Sequence, residues 1–193
     1  MLIAGLDEVG MGCLAGPVLV SITVFDDNFP PVGGLDDSKK LSADKRRSLF
    51  DPIFEAAQDI GLGFSDNKVI DEFGIREAWN RAIDMAVGQL HTYPERTYID
   101  GSVTPRSAVK KKHRLGQVLV FPKADGKIWQ VSAASIVAKV IRDDWMKELG
   151  IEHPNYDFKH HKGYGTKEHM KRITKFGMSC LHRKTFCRNI PQS

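Results

Sequence analysis

The stretch "LIAGLDEVGMGCLAGPVLVSITVF", residues 2–25, sets two runs of branched and apolar residues around a glycine-rich turn. Residues 2–6 and 18–25 have the composition of β-strands, so the turn joins strand to strand. A dinucleotide-binding turn has the order G-x-G-x-x-G and leads from a strand into a helix whose N-terminus faces a pyrophosphate. Here Gly10, Gly12 and Gly16 are spaced one residue too long, and a strand follows. Two carboxylates, Asp7 and Glu8, stand directly before the turn and would repel an unscreened phosphate. The Rossmann reading fails. Carboxylates beside a phosphate make sense with a divalent cation between them, because magnesium takes hard oxygen ligands, commonly one or two carboxylates plus substrate phosphate oxygens.

Outward from this stretch, Ser42 is placed to cap a helix carrying Leu49, Phe50, Ile53, Phe54 and Ala57 on one side. Pro52 inside that pattern predicts a kink or a late start. Residues 60–65 read as a short strand, and residues 74–90 as a helix with Ile75, Ala78, Ala82, Ile83, Ala86 and Leu90 at helical spacing. "RTYIDGS" predicts a strand ending at Asp100, and "QVLVFPKADG" another ending near Asp125, with a basic loop between them. The strongest helix covers residues 130–149, with Val131, Ala134, Ala138, Ile141, Trp145 and Leu149 on one stripe. Ser132, Ser135, Lys139 and Arg142 share a different face of it. A basic, histidine-rich tail follows, with a short helix from Thr166 to Phe176 and Thr166 suited to its N-cap.

Early strands followed by alternating helices and strands predict a single mixed α/β domain over residues 1–193. Asp7–Glu8, Asp100 and Asp125 then stand at three strand ends, which are rigid platforms for side chains. One acid at a strand end is ordinarily a solvent-facing residue; three beside glycines are candidates for a shared site. Adjacent residues on a regular strand point to opposite faces. Asp7 and Glu8 can therefore share a site only if the strand ends or bulges between them, which Gly10 would permit.

The composition is 41% apolar and 27% charged with a net charge of +4, as expected of a soluble globular protein whose basic balance suits a polyanion without requiring one. Cys13, Cys180 and Cys187 leave one thiol over in any disulfide scheme, which favours a reducing compartment. Zinc is disfavoured by the lack of a C-x-x-C pair. No basic segment precedes the first apolar run, and acids appear by position 7, unlike a signal peptide. The longest apolar run, residues 13–25, contains Gly16 and Pro17 and is too short to span a bilayer. A soluble, cytoplasmic protein is expected.

In order along the chain, "GLDEVGMGCLAGPV", "DSKKLS", "YIDGS", "KADG…SAASIVAKVIRD" and "HKGYGTKEH" resemble the ribonuclease HII family from about residue 3 to residue 186. The resemblance implies a ribonuclease H-like fold, a central mixed β-sheet flanked by α-helices with a short helical C-terminal segment. It implies an endonuclease that cuts the RNA strand of RNA–DNA hybrids or of ribonucleotide-containing duplex DNA, leaving 3′-hydroxyl and 5′-phosphate ends. Carried over by position, the family's catalytic and metal-binding acids are Asp7, Glu8, Asp100 and Asp125, which would hold two Mg2+ or Mn2+ ions around the scissile phosphate. The family's substrate contacts fall on Gly10, Met11 and Gly12 at the ribonucleotide, Lys39 near the phosphates and Tyr164 stacking on the sugar at the RNA–DNA junction. His160, His161 and Lys162 lie in a charged loop that could touch the DNA strand. The implied state is a monomer without a membrane partner. Position 11 departs from the family, which usually has arginine there. Methionine lacks a charge-assisted hydrogen bond of roughly 1.5–3 kcal/mol, which favours substrates with runs of ribonucleotides, as for the sister ribonuclease HIII family. The remaining alternative is a hybrid-binding module that does not cut.

Overall fold

The computed structural model describes residues 1–36, 38–107 and 112–191. Five strands form one sheet: β1 (Leu2–Val9), β2 (Val18–Asp26), β3 (Asp59–Ser65), β4 (Arg96–Asp100) and β5 (Gln117–Phe121), in the order β3-β2-β1-β4-β5. β1, β2 and β3 make an antiparallel meander, while β4 and β5 run parallel to β1. The sheet is thus mixed, as expected. The helices are α1 (Ala43–Ala56), α2 (Asn67–Phe73), α3 (Ile75–Gly88), α4 (Lys112–Leu115), α5 (Trp129–Glu152), α6 (Phe158–His161) and α7 (Lys167–Phe176).

Alternation along β1 and β2 sorts the core into two layers. Ala4, Leu6, Val20, Ile22 and Val24 pack under α3 with Ala82, Ile83, Ala86 and Val87. On the other face Phe25 meets Leu49 and Ile53 of α1 and Ala133, Ile136 and Val137 of α5. Because α5 lies between the sheet and α1, every residue from Gln130 to Ala138 is buried. The single stripe expected from the sequence is not what buries the helix: in the later turns Arg142 and Met146 are buried, while Ile141, Trp145 and Leu149 are half-buried.

Three other expectations change. α1 runs through Pro52 without a late start, because Pro52 lies on the exposed side while Leu49, Ile53 and Ala56 anchor the helix inside. Ser42 caps it, accepting from the Lys45 N–H at 3.1 Å. α2 was not legible as a separate element: it is seven residues long and Asp66 caps it. Gly74, at φ +81°, separates it from α3. Asp125 does not end a strand; it sits on a 3-10 turn, Ala124–Gly126, beyond β5. Of the basic loop at residues 104–116, positions 108–111 lie outside the described residues.

One close approach seats α5. A Cβ on Gly5 would lie 2.1 Å from the Gln130 carbonyl, so only glycine lets the first turn of α5 touch β1. Gly5→Ala is expected to lower stability by ~1–3 kcal/mol, the usual range for overpacking. Gly33→Ala, where an added Cβ meets open space, should change it by less than ~0.5 kcal/mol. Urea denaturation of both variants measures the difference.

Candidate active site

β1 pairs with β4 from Ile3↔Arg96 to Leu6↔Ile99 and then loses that neighbour. On its other side the pairing with β2 continues unbroken through Asp7↔Ser21, Glu8↔Val20 and Val9↔Leu19. The strand therefore neither ends nor bulges between the two acids. They share a site because β4 parts from β1 just before them, so side chains from both faces border the gap that Asp100 closes at the end of β4. Asp7 points toward α5, where Ser135 hydrogen-bonds it, and Glu8 points toward Trp79 of α3.

Each acid is held. Asp7 is 3% exposed and accepts the Glu8 N–H at 2.8 Å. The Ser135 hydroxyl that faces it is tied to the Ser38 hydroxyl at 2.8 Å. Asp100 accepts the Ala124 N–H at 2.8 Å, which fastens the 3-10 turn to β4. Ser132 donates to the Asp125 carbonyl at 2.6 Å, and Lys39 Nζ lies 3.4 Å from the buried Asp125 carboxylate.

Burial pushes Asp7 well above the usual carboxylate range, and the neighbouring charges of Glu8 and Asp100 push the same way. Burial raises Glu8 to about 7, helped by Asp100 and opposed by Lys39 and the Trp79 indole. That indole faces Glu8, yet neither Trp79 Nε1 nor Glu8 Oε2 has a partner at hydrogen-bond geometry. Among the described residues, no three His, Cys, Asp or Glu side chains are drawn into a closed ligand cluster.

The glycine turn lies beside these acids. A Cβ on Gly12 would meet open space. Gly12, Lys39, Ser38, Glu8 and Tyr164 line a cavity of about 250 Å³. A second, of about 470 Å³, is lined by Trp79, Arg76, Asp100 and Val103. Glu8 and Met11 border both, so the two cavities meet at these residues.

The family model for ribonuclease HII matches residues 4–189. The chain belongs to the ribonuclease HII family. It is 42% identical to the ribonuclease HII of Clostridioides difficile over 97% of this chain and 71% of that one. With the Bacillus cytotoxicus ribonuclease HII it shares 45% identity over 95% of this chain and 68% of the other. The ribonuclease H2 structure from Pyrococcus horikoshii superposes with a TM-score of 0.81 at 28% identity, covering 98% of this chain and 97% of that one. A ribonuclease HIII solved with Mn2+ shares the fold at a TM-score of 0.66 and 20% identity, over 96% of this chain and 64% of its own. The protein is thus an enzyme of the ribonuclease H class, and its family implies endonucleolytic cleavage of an RNA strand. Among the described residues, no helix is long and apolar enough to cross a membrane.

The remaining sequence candidates of this ribonuclease HII family member fall around the same groove. Tyr164 is 38% exposed, with Lys139 Nζ 5.3 Å and Arg142 Cζ 5.8 Å from its ring centre. Burial first, then Cys13, pushes its phenol up to about 12, so it keeps its proton at neutral pH. The Lys39 loop is pinned from α1, where Arg46 donates to the Ser38 and Leu41 carbonyls, both at 2.6 Å. His161 leaves the candidate set: it is buried, stacks on His169 at 4.1 Å and donates to the Tyr156 carbonyl. Sequence reading missed Arg46, Trp79, Ser38 and Arg183, which carry their meaning only through contacts distant in the chain.

A carboxyl whose pKa rises on folding favours the fold only while protonated. For Glu8 that contribution is present below its unfolded value of 4.5 and is lost as pH climbs through about 7. Glu8→Gln is therefore expected to raise the melting temperature in chelator, by a margin that grows from about pH 5 to about pH 8. Buried His169 and His182, each lowered to about 4, act in the opposite direction, losing stability as pH falls, but do so equally in both proteins. A margin that stays flat with pH sinks the assignment.

Proposed function

We propose that this protein hydrolyses the RNA strand of RNA–DNA hybrids at the Asp7–Glu8–Asp100–Asp125 edge with two divalent ions, leaving 3′-hydroxyl and 5′-phosphate ends. It works as a monomeric, single-domain enzyme of the cytoplasm. The observation that supports this reading is the parting of β1 from β4, which leaves Glu8 and Asp100 lining one cavity, Asp7 and Asp125 within reach of their charge, and one Glu8 oxygen buried without a hydrogen-bond partner.

The donor set fits the ions. All four groups are hard oxygen donors, suited to Mg2+ or Mn2+. The raised Asp7 and Glu8 are what a cation would relieve. When bound, such ions supply Lewis-acid stabilisation of the phosphoryl oxygens and a nucleophile from water. The protein's own groups orient and hold. Ser135 and the Ala124 N–H fix Asp7 and Asp100, while Lys39 tempers the charge at Asp125 and Glu8. The Tyr164 ring, with Lys139 and Arg142 close to it, offers a stacking platform, and stacking on an aromatic ring is worth roughly 1–3 kcal/mol per base. Gly12 leaves room for backbone to approach a ribose, where the 2′-hydroxyl marks RNA.

A labelled hybrid incubated with Mg2+ or with EDTA tests the reading, alongside a duplex holding one ribonucleotide. Cleavage only with metal is expected; binding without any cutting would instead establish the non-cutting alternative. Asp7→Asn and Asp100→Asn should each reduce cleavage to background while hybrid affinity in EDTA stays within a few-fold, since phosphate contacts supply most of it. Near-normal turnover in either variant would place the metals elsewhere. Affinity should fall steeply with salt through displaced counterions, and a flat dependence would count against a nucleic-acid substrate.

A further inference from the structure

The Gly10–Gly12 turn rests on two buried guanidinium groups. Arg142, fully buried, donates from Nε to the Pro17 carbonyl at 2.9 Å, from Nη2 to Ala15 at 3.2 Å and from Nη1 to Lys162 at 2.9 Å. Arg183, also fully buried, donates from Nε to Gly16 and from Nη1 to Met11, both at 3.0 Å. A Cβ on Gly10, which has φ +92°, would lie 2.3 Å from Arg142 Nε, so glycine is what lets the turn sit on that charge.

Every one of these contacts is to a neutral carbonyl. Among the described residues neither arginine forms an ion pair. Arg183 Nη2 is buried with no hydrogen-bond partner at all. Asp71, whose charge reaches Arg183, is itself engaged by the Lys184 and Thr185 N–H groups and the Thr185 hydroxyl. Burial without a paired anion is costly for a charge. Two such charges beneath one turn need an external counter-ion to explain them.

We propose that Arg142 and Arg183 are the anion-attracting charges of the Gly10–Gly12 turn, drawing a substrate phosphate onto its outer backbone from behind. The inference rests on the hybrid reading for the identity of that substrate. The carbonyls of Met11, Ala15, Gly16 and Pro17 are turned inward onto the guanidiniums, which takes their negative ends away from the groove. Arg183, lowered by burial to about 10, stays charged at neutral pH. At ~8 Å and an effective dielectric near 20, one such charge strengthens phosphate binding roughly 30-fold. Methionine at position 11 then forfeits little, because the charge that its side chain lacks is supplied through the backbone.

The test is the affinity of a non-cleavable RNA–DNA duplex in EDTA for the parent, Arg183→Lys, Arg183→Gln and Met11→Arg in both the parent and Arg183→Gln backgrounds. Arg183→Gln should lose about tenfold or more, while Arg183→Lys stays within about threefold. Met11→Arg should recover most of the loss in the Arg183→Gln background and gain less in the parent. A merely structural arginine predicts equal loss for Lys and Gln and no recovery from a new charge at position 11; that outcome overturns the proposal. If Arg183→Gln does not fold, melting of the metal-free parent decides: inorganic phosphate must raise its melting temperature above chloride at equal ionic strength, and failure to do so also overturns it. A parent stabilised by phosphate that binds no hybrid would leave this inference standing and remove the hybrid reading.

Discussion

The contact of α5 with β1 at Gly5 governs the geometry of this molecule. With no side chain at position 5, the helix lies directly on the strand at Gln130, and its later turns are carried over the end of the sheet where β1 and β4 part. Ser132, Ser135, Lys139 and Arg142 follow at spacings that keep one face along ~15 Å of helix. Ser132 holds the Asp125 turn, Ser135 faces Asp7, Lys139 lies near Tyr164, and Arg142 grips the carbonyls behind the glycine turn. One rigid element thus sets the acids, the stacking ring and the turn relative to one another. Small hydroxyls and a guanidinium along one face are what a helix needs to come that close and still satisfy polar groups.

Charge is separated across this short distance. Carboxylates face the groove with their protons held too tightly for ordinary acids, because water is excluded and like charges lie nearby. Guanidiniums lie behind the turn, bonded only to carbonyls. Neither half is at its lowest energy alone. On the proposed reading, a cation on one side and a phosphate on the other would neutralise both. Such a site would be preorganised, its charged groups having no need to move to meet the reacting atoms.

Much of this was legible in the residues. Strand runs around the turn, the Ser42 and Thr166 caps and Asp100 at the end of β4 all rest on local chemistry, and local chemistry is what a sequence displays. What could not be read depends on contacts between distant segments. The bulge sought between Asp7 and Glu8 is absent because the gap comes from the neighbouring strand. Arg183 looked like one more cation in a basic tail, yet it is fully buried 172 positions from the Met11 carbonyl it binds. His161 looked like a loop residue and is part of a stacked core pair. Net charge in a sequence does not say which cations are surface and which are interior.

That distinction changes how the turn recognises its ligand. A surface arginine reaches a phosphate through a flexible side chain that must be ordered on binding, losing up to ~2 kcal/mol of rotamer entropy. A guanidinium locked beneath the backbone has already been ordered by folding, so its field acts without that loss. The field is also less selective, because it reaches any phosphate resting on the turn and cannot fork two hydrogen bonds to a particular one. If the proposal holds, discrimination of RNA would fall to the backbone at Gly12 and to the fit of a ribose against Tyr164, where shape rather than charge decides. On that reading, charge from behind would supply affinity, and the open glycine and the ring in front the choice of sugar.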